Sequence, residues 1–217
     1  MTPVKTLARR AGWLYFLANC VAPFAYLYVP GRILVPGNAL ATMEHVRAQE
    51  GLLRLAMGAE IWNATVGAFA VFLLYRLFER VDRPLSILFA GLFLLGVPVS
   101  YVNVLNHAAV LLLANDPASA PLGMLFLKLH NYGLAVAQVL WGLWLIPLGL
   151  GVRRSGFIPG WLAYPLFAAG IGYVAHSLGL LCLPASLRQV TSLGQVLGLG
   201  ELPFFLYLQF PGARTER

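Results

Sequence analysis

Long apolar runs, interrupted only by short clusters of turn-forming residues, constrain this chain more than any other feature. A run of 18 or more nearly uncharged residues is long enough to cross the ~30 Å hydrocarbon layer of a bilayer as a helix. The chain is 59% hydrophobic and only 11% charged, whereas a soluble domain is about 25% charged. A soluble globular enzyme, a disordered tail and a disulfide-stapled secreted domain are therefore excluded. We predict an all-α fold, a polytopic bundle of transmembrane helices that forms a single domain over residues 1–217.

Six transmembrane spans are predicted, with turn chemistry such as Pro36-Gly37-Asn38 in the breaks between them. The one long connection, residues 30–49, is expected to be an extracytoplasmic loop with a short interfacial helix capped by Asn38 or Thr42. The predicted spans are Gly12–Val29, Glu50–Tyr75, Leu85–Leu113, Leu122–Leu150, Ile158–Leu181 and Val190–Phe210.

Basic residues are distributed unevenly between the two sides of the predicted membrane. Ten of the 15 Lys and Arg residues fall on one side: Lys5, Arg9, Arg10, Arg76, Arg80, Arg83, Arg153, Arg154, Arg214 and Arg217. The others are Arg32, Arg47, Arg54, Lys128 and Arg188. Because basic residues collect in cytoplasmic loops, both termini are predicted to be cytoplasmic. The first apolar run is expected to remain as a helix rather than to be cleaved as a signal peptide.

The net charge and the cysteines exclude two further classes of function. The formal charge is +7, but the basic residues form no patch with interleaved aromatics, so we expect no nucleic-acid partner. Cys20 and Cys182 lie in apolar surroundings and form no Cys-x-x-Cys motif, so they are predicted to be buried thiols. The bilayer itself is the one partner that the composition requires.

Polar side chains inside the predicted spans gather in one layer, ~6–17 Å below the outer end of each span. Ionisable groups at this depth are costly and mark functional sites by default. We expect the layer to line a cavity that opens to the outside, or to form a buried network. Its candidate binding residues are Arg54, Asn103, His107, Lys128, His130, Asn131, Tyr173 and His176.

Glu60 and Glu201 lie closest to the predicted midplane and are the candidate catalytic residues. A carboxylate at that depth takes up a proton or pairs with a cation, for which Arg54, Lys128 and the histidines are available. Packing explains the same residue types equally well. Arg54 and Lys128 are close enough to the interface to extend their charges into water, and amide side chains such as Asn131 hold helices together.

Several short stretches resemble an uncharacterised bacterial membrane family, domain of unknown function number 4386. The likeness extends from about Arg9 to Phe210. It implies six helices and a location in the bacterial inner membrane, but it supplies no activity and no catalytic residue. Asn131 departs from an Asp that relatives carry, which puts any acid role there in doubt. The stretches are Tyr28-Val-Pro-Gly-Arg32, Val35-Pro-Gly-Asn-Ala39, Glu50-Gly-Leu-Leu-Arg54, Lys128-Leu-His-Asn-Tyr-Gly133, Arg154-Ser-Gly-Phe-Ile-Pro159 and Gly200-Glu-Leu202.

Four classes of function remain open. The first is a protein that binds or acts on a small amphiphile or lipid, with a buried carboxylic acid as proton donor and aromatic faces around it. The second is a proton- or cation-coupled transporter, which at six helices would require a homo-oligomer. The third is a structural subunit whose polar layer only specifies packing and leaves no cavity. The fourth is a metal or haem site on His107, His130 and His176 with the two acids. Because no helix carries two ligands at a metal-binding spacing, no metal site is predicted and no cofactor is assigned.

Overall fold

The protein is an all-helical bundle in a computed structural model that describes residues 4–184, 194 and 196–213. Short connections between the long helices place consecutive helices side by side. The helices of the described part are α1 (Val4–Asn19), α2 (Val29–Ile33), α3 (Ala39–Ala48), α4 (Glu50–Phe78), α5 (Arg83–Leu113), α6 (Ala120–Leu143), α7 (Leu145–Ser155), α8 (Ala163–Cys182) and α9 (Leu202–Gln209).

Five segments of the described residues are long and apolar enough to cross a membrane. They are Val4–Ile33, Glu50–Phe78, Arg83–Leu113, Pro117–Ser155 and Gly160–Cys182, and they correspond to the first five predicted spans. Residues 190–193 and 195 of the sixth predicted span lie outside the described residues, as do Arg188, Arg214 and Arg217 of the charge count. The sixth span and the orientation of the termini therefore stay predictions.

The first span is interrupted, whereas the sequence analysis predicted a continuous helix. After α1 the chain leaves the α-helical path and forms a π-helix over Phe24–Tyr28 before α2 begins. The break frees carbonyl groups of α1, and α4 supplies their donors. Trp62 Nε1 donates to Leu17 O at 2.7 Å, and Asn63 Nδ2 donates to Ala18 O at 2.9 Å. Such replacement bonds are what allow a helix to break in an apolar environment.

The predicted loop over residues 30–49 begins within α2, which extends to Ile33, and it contains the expected short helix, α3. Asn38 is its cap, because its Oδ1 accepts a hydrogen bond from Ala41 N at 3.0 Å. Thr42 has a different role, since its hydroxyl accepts from Val35 N at 3.0 Å. The side chains of Asn38 and Thr42 thus tie the loop to the start of α3.

Two apolar clusters form the core, one toward each end of the bundle. The larger cluster is centred on Trp144, with Phe78, Phe89 and Phe204 buried around it. The smaller cluster joins α2, α3 and the first half of α4 to the ends of α5 and α6, and Met43 is buried within it.

The buried polar residues lie between these two clusters. Along α4, Glu60 falls after the last member of the smaller cluster and before the first member of the larger one. Asn103 and His107 hold the corresponding position on α5, and His130 on α6. The fold therefore gathers polar groups of three helices in one layer.

Helices α6 and α8 are packed closely enough that their contact requires glycine. A Cβ atom on Gly142 would lie 2.7 Å from the carbonyl oxygen of Gly170, and one on Gly170 would lie equally close to that of Gly142. Small residues at such crossings are a common way of packing membrane helices.

The prediction for the two cysteines was wrong. Cys20 and Cys182 are exposed on the surface of the bundle, where buried thiols were predicted. The physical reason is that the outer surface of a membrane bundle is itself apolar, so apolar neighbours along the chain do not imply burial.

Candidate functional site

The first polar centre consists of Glu60, His107 and His130, and we refer to it as the Glu60 centre. The Glu60 side chain is 4% exposed. Its Oε2 lies 2.8 Å from His130 Nε2, and its Oε1 lies 3.3 Å from His107 Nδ1. The two imidazole rings are stacked, with centroids 3.7 Å apart and planes 20° from parallel. One carboxylate from α4 is thus faced by imidazoles from α5 and α6.

Two atoms of the Glu60 centre make no hydrogen bond within the described part of the chain. They are Glu60 Oε1 and His107 Nδ1, both buried. They lie 3.3 Å apart, but their contact lacks hydrogen-bond geometry. Buried polar atoms without partners are rare and call for a physical explanation.

An amide network fixes His130 relative to α5. Asn103 Nδ2 donates to the backbone oxygen of His130 at 2.9 Å, and Asn103 Oδ1 accepts from Asn106 Nδ2 at 3.0 Å. Gly133 makes this contact possible, because a Cβ atom at that position would collide with the Asn103 side chain. Asn103 therefore holds α5 and α6 together, which was one of its two interpretations from sequence.

The second polar centre consists of Tyr15, Tyr173 and Glu201, and we refer to it as the Glu201 centre. Glu201 ends the 3₁₀ turn that precedes α9. The Tyr173 hydroxyl donates to Glu201 Oε1 at 2.8 Å, and the Tyr15 hydroxyl donates to Glu201 Oε2. The Tyr15 ring stacks on Phe205, with centroids 3.3 Å apart. Gly198 provides space for the Tyr173 ring, which a Cβ atom there would meet at 2.5 Å.

A cavity of about 380 Å³ adjoins the Glu60 centre, and we call it the smaller cavity. His107 and His130 form part of its wall, and the exposed side chains of Lys128 and Asn131 also line it. The rest of the lining is mostly apolar and comes from the π-helix, α2, the loop after α2, α4 and α6.

A cavity of about 470 Å³ adjoins the Glu201 centre, and we call it the larger cavity. All three residues of that centre line it, together with polar Asn19, Asn63 and Gln138 and the rings of Phe93, Trp141 and Trp144. Tyr26, Asn131 and Leu134 line both cavities, so these three residues form a shared wall.

The structure brings together most of the residues that the sequence analysis selected. His107 and His130 meet at the Glu60 carboxylate, Asn103 donates a hydrogen bond to the backbone of His130, and Tyr173 meets Glu201. The histidines are thus the partners of Glu60, whereas the partners of Glu201 are phenols rather than any of the expected cations.

Two of the selected residues, Arg54 and His176, lie apart from both centres and from both cavities. Arg54 pairs with Glu50 at 2.7 Å, its side chain is 62% exposed, and it lines neither cavity. His176 is half-buried on α8 beside Gly194 and also lines neither cavity.

Tyr15 and Tyr26 were missed from sequence. A tyrosine in an apolar helix is more often a packing or interfacial residue than a site residue, so neither stood out. Tyr15 had one signal, the i,i+4 spacing to Asn19, whose Nδ2 donates to Tyr15 O at 2.9 Å. No signal in the sequence pointed to Tyr26, because its position on the wall of both cavities depends on the π-helix.

Comparison with family models gives a match over residues 10–212, to the family described as "Domain of unknown function (DUF4386)". This confirms the resemblance found in the sequence motifs. Comparison with curated proteins and with solved structures gives no match.

Proposed function

The chain belongs to the DUF4386 family, a domain of unknown function, and on that premise we propose that it is a membrane protein that binds a small amphiphilic molecule in its larger cavity. One observation carries the proposal. The carboxylate of Glu201 stands on the wall of a cavity that is otherwise lined largely by apolar and aromatic side chains. A ligand-sized cavity with mostly apolar walls and a few polar groups is the usual form of a small-molecule site.

The chemistry of Glu201 supports a ligand that donates hydrogen bonds. Each carboxylate oxygen accepts one phenol, from Tyr15 or Tyr173, and retains a further lone pair. A hydroxyl or ammonium group on the ligand would use that capacity. The rings of Trp141 and Trp144 favour the apolar part of such a molecule and attract a cationic head.

The two cavities also argue against a purely structural role for the polar layer. Polar groups that only specify helix packing leave no space between the helices that they join. Here the Glu201 centre borders about 470 Å³ and the Glu60 centre about 380 Å³, within the size range of small-molecule sites.

We also propose a location and topology for this protein. Six spans with both termini inside, in the cytoplasmic membrane of a bacterium, agree with the distribution of basic residues and with the family resemblance. The five apolar segments of the described residues support the multi-pass arrangement.

The test is mass spectrometry of organic molecules that remain bound to protein purified gently from its membrane. Wild-type protein should carry about one equivalent of an amphiphile with a hydroxyl or amine group. Glu201→Gln should weaken its binding roughly 10- to 100-fold, because a hydrogen bond to a charged group contributes about 1.5–3 kcal/mol. Leu134→Trp should displace the amphiphile by filling the cavity from its shared wall.

Glu50→Gln is the matched control, since Glu50 is exposed and lies outside both cavities. It should retain the bound molecule. Wild-type protein that carries no organic molecule, and whose melting temperature no lipid extract raises, would contradict the proposal. Equal binding by wild type, Glu201→Gln and Leu134→Trp would contradict it as well.

A further inference from the structure

We propose that the Glu60 centre is a binding site for a divalent transition-metal ion, with Zn²⁺ the ion that its ligands fit best. The inference goes beyond amphiphile binding, because it concerns a different carboxylate and a different cavity. The sequence analysis predicted no metal site from the spacing within single helices. The three ligands come instead from α4, α5 and α6, one from each.

The donor set is the first argument. Glu60, His107 and His130 each offer one ligand atom, and these atoms all lie within 4.8 Å of one another. Two imidazole nitrogens and one carboxylate oxygen are a common ligand set of zinc sites that keep an exchangeable position. Neutral imidazole and carboxylate are also ligands that suit zinc and its neighbours among the transition metals.

The unpartnered atoms are the second argument. The side chains of Glu60, His107 and His130 are only 4%, 6% and 10% exposed. A proton shared between Glu60 Oε2 and His130 Nε2 satisfies that pair alone. It leaves Glu60 Oε1 and His107 Nδ1 without hydrogen bonds. A metal ion between the three side chains uses lone pairs of His107 and Glu60 together, and so accounts for both atoms.

The position of the cavity is the third argument. His107 and His130 are part of the wall of the smaller cavity. A metal ion held by three protein ligands there would have a fourth position on the cavity side, open to water or to an anionic group of a bound molecule. Lys128 lines the same cavity and would attract such an anion.

Contacts between α5 and α6 support the backbone around the centre. Asn103 fixes the carbonyl of His130, and the absence of a side chain at Gly133 lets α5 and α6 approach each other. Ligands that stand on long, packed helices are more precisely placed than ligands on loops. The centre therefore has the supporting contacts that a metal site requires.

The first experiment is a zinc titration of the whole protein in detergent, after removal of bound metal with a chelator. Wild-type protein should bind about one equivalent of Zn²⁺ by elemental analysis after desalting. Glu60→Gln, His107→Gln and His130→Gln should each weaken binding about 100-fold or more, because each removes one of three ligands. His45→Gln is the control, since His45 is exposed on α3 outside both cavities, and it should bind as wild type does.

X-ray absorption spectroscopy of zinc-loaded wild-type protein makes the test independent of whether the variants fold. The spectrum should show two imidazole ligands, with nitrogen and oxygen at about 2.0–2.1 Å and no sulfur. Wild-type protein that binds no stoichiometric zinc would overturn the proposal. So would sulfur ligation, which would place the metal on Cys20 or Cys182, or equal loss of zinc in His45→Gln.

Glu201→Gln separates this proposal from the previous one. That variant should keep its zinc, because Glu201 belongs to the other centre. Amphiphile binding can fail while zinc binding succeeds, and the reverse holds too, so each proposal is decided by its own measurement.

Discussion

Glu60 and Glu201 are the same residue type in the same bundle, yet their surroundings are opposite in kind. Glu60 lies in the middle of a long helix and is faced by two imidazoles. Glu201 lies in a 3₁₀ turn beside a short helix and accepts hydrogen bonds from two phenols. Imidazoles can take up a proton or bind a metal, whereas the neutral phenols here donate hydrogen bonds to the carboxylate. The side chains that contact each carboxylate, more than the carboxylate itself, thus determine what each centre can bind.

The two carboxylates also differ in their access to space. Glu60 is almost completely buried, and its imidazoles rather than its own oxygens line the smaller cavity. Glu201 lines the larger cavity directly, next to aromatic walls. A ligand can therefore reach Glu201 itself, whereas at the Glu60 centre it would meet the histidines. Because of this difference in access, we propose an ion as the ligand of the Glu60 centre and an organic molecule as the ligand of the Glu201 centre.

The largest expected effect comes from removing each carboxylate in turn. Glu60→Ala should lower the free energy of unfolding by about 3–5 kcal/mol, because it leaves two buried imidazoles without their partner. Glu201→Ala should cost about 1–3 kcal/mol, because the phenols that lose their acceptor border a cavity. Thermal unfolding in detergent, followed by circular dichroism, compares the two. Equal losses of unfolding free energy in the two variants would contradict the expectation that the more buried Glu60 contributes more to stability.

The next effect concerns the helix contact that supports the Glu60 centre. Gly133→Ala should destabilise the protein by about 1–3 kcal/mol, because the new methyl group collides with Asn103. Adding Asn103→Ala should restore part of that loss by creating space. A double-mutant cycle measures the coupling, and additive losses would mean that the two residues do not press on each other.

Much of the polar layer could be predicted from sequence, because ionisable residues in an apolar helix are rare enough to stand out. Glu60, His107, His130 and Glu201 were selected on that ground alone. Their pairing could not be predicted, because it depends on how α4, α5 and α6 are rotated against one another. Arg54 shows the limit clearly, since it was selected for its depth in the predicted span, whereas its place outside both cavities depends on packing.

The helical bundle was predicted well for the same reason, since long apolar runs allow few alternatives in a membrane. The break after α1 was not predicted. It depends on Trp62 and Asn63 of another helix, which donate to the freed carbonyls. Local propensity contains no information about such a distant donor, and the position of Tyr26 was missed with it.

A smaller effect is expected from the phenols of the Glu201 centre. Tyr15→Phe and Tyr173→Phe should each cost about 1 kcal/mol, the usual net contribution of one hydrogen bond. The double variant should cost more than the two single losses added together, because Glu201 then has neither donor. Thermal unfolding of the single and double variants tests this, and strict additivity would indicate that the two phenols act independently.

The exposed pair at the edge of α4 should have the smallest measurable effect on stability. Arg54→Gln should change the free energy of unfolding by less than about 0.5 kcal/mol, because exposed ion pairs contribute little. It should also leave zinc and amphiphile binding unchanged. A loss of either ligand in Arg54→Gln would mean that Arg54 belongs to the polar layer after all.

Asp82, a carboxylate just before α5, should contribute to the loss of folding stability at acidic pH. The backbone N–H of Leu85 and the guanidinium of Arg154 lower the pKa of Asp82, which caps α5. A group whose pKa is lowered by folding stabilises the protein above its unfolded pKa, and this contribution is lost as the pH falls through the folded pKa. Asp82→Asn should therefore flatten the acid side of the stability curve. If Asp82→Asn leaves the pH dependence of stability unchanged, other groups cause the loss of stability in acid.

One measurement tests the division between the two centres most directly: native mass spectrometry of wild type, Glu60→Gln and Glu201→Gln, each purified identically without chelator. We predict that wild type carries both a metal ion and an amphiphile. Glu60→Gln should lose the metal and keep the amphiphile, and Glu201→Gln should lose the amphiphile and keep the metal. Loss of both ligands in each variant, or of neither in both, would contradict the assignment of separate roles to these two carboxylates.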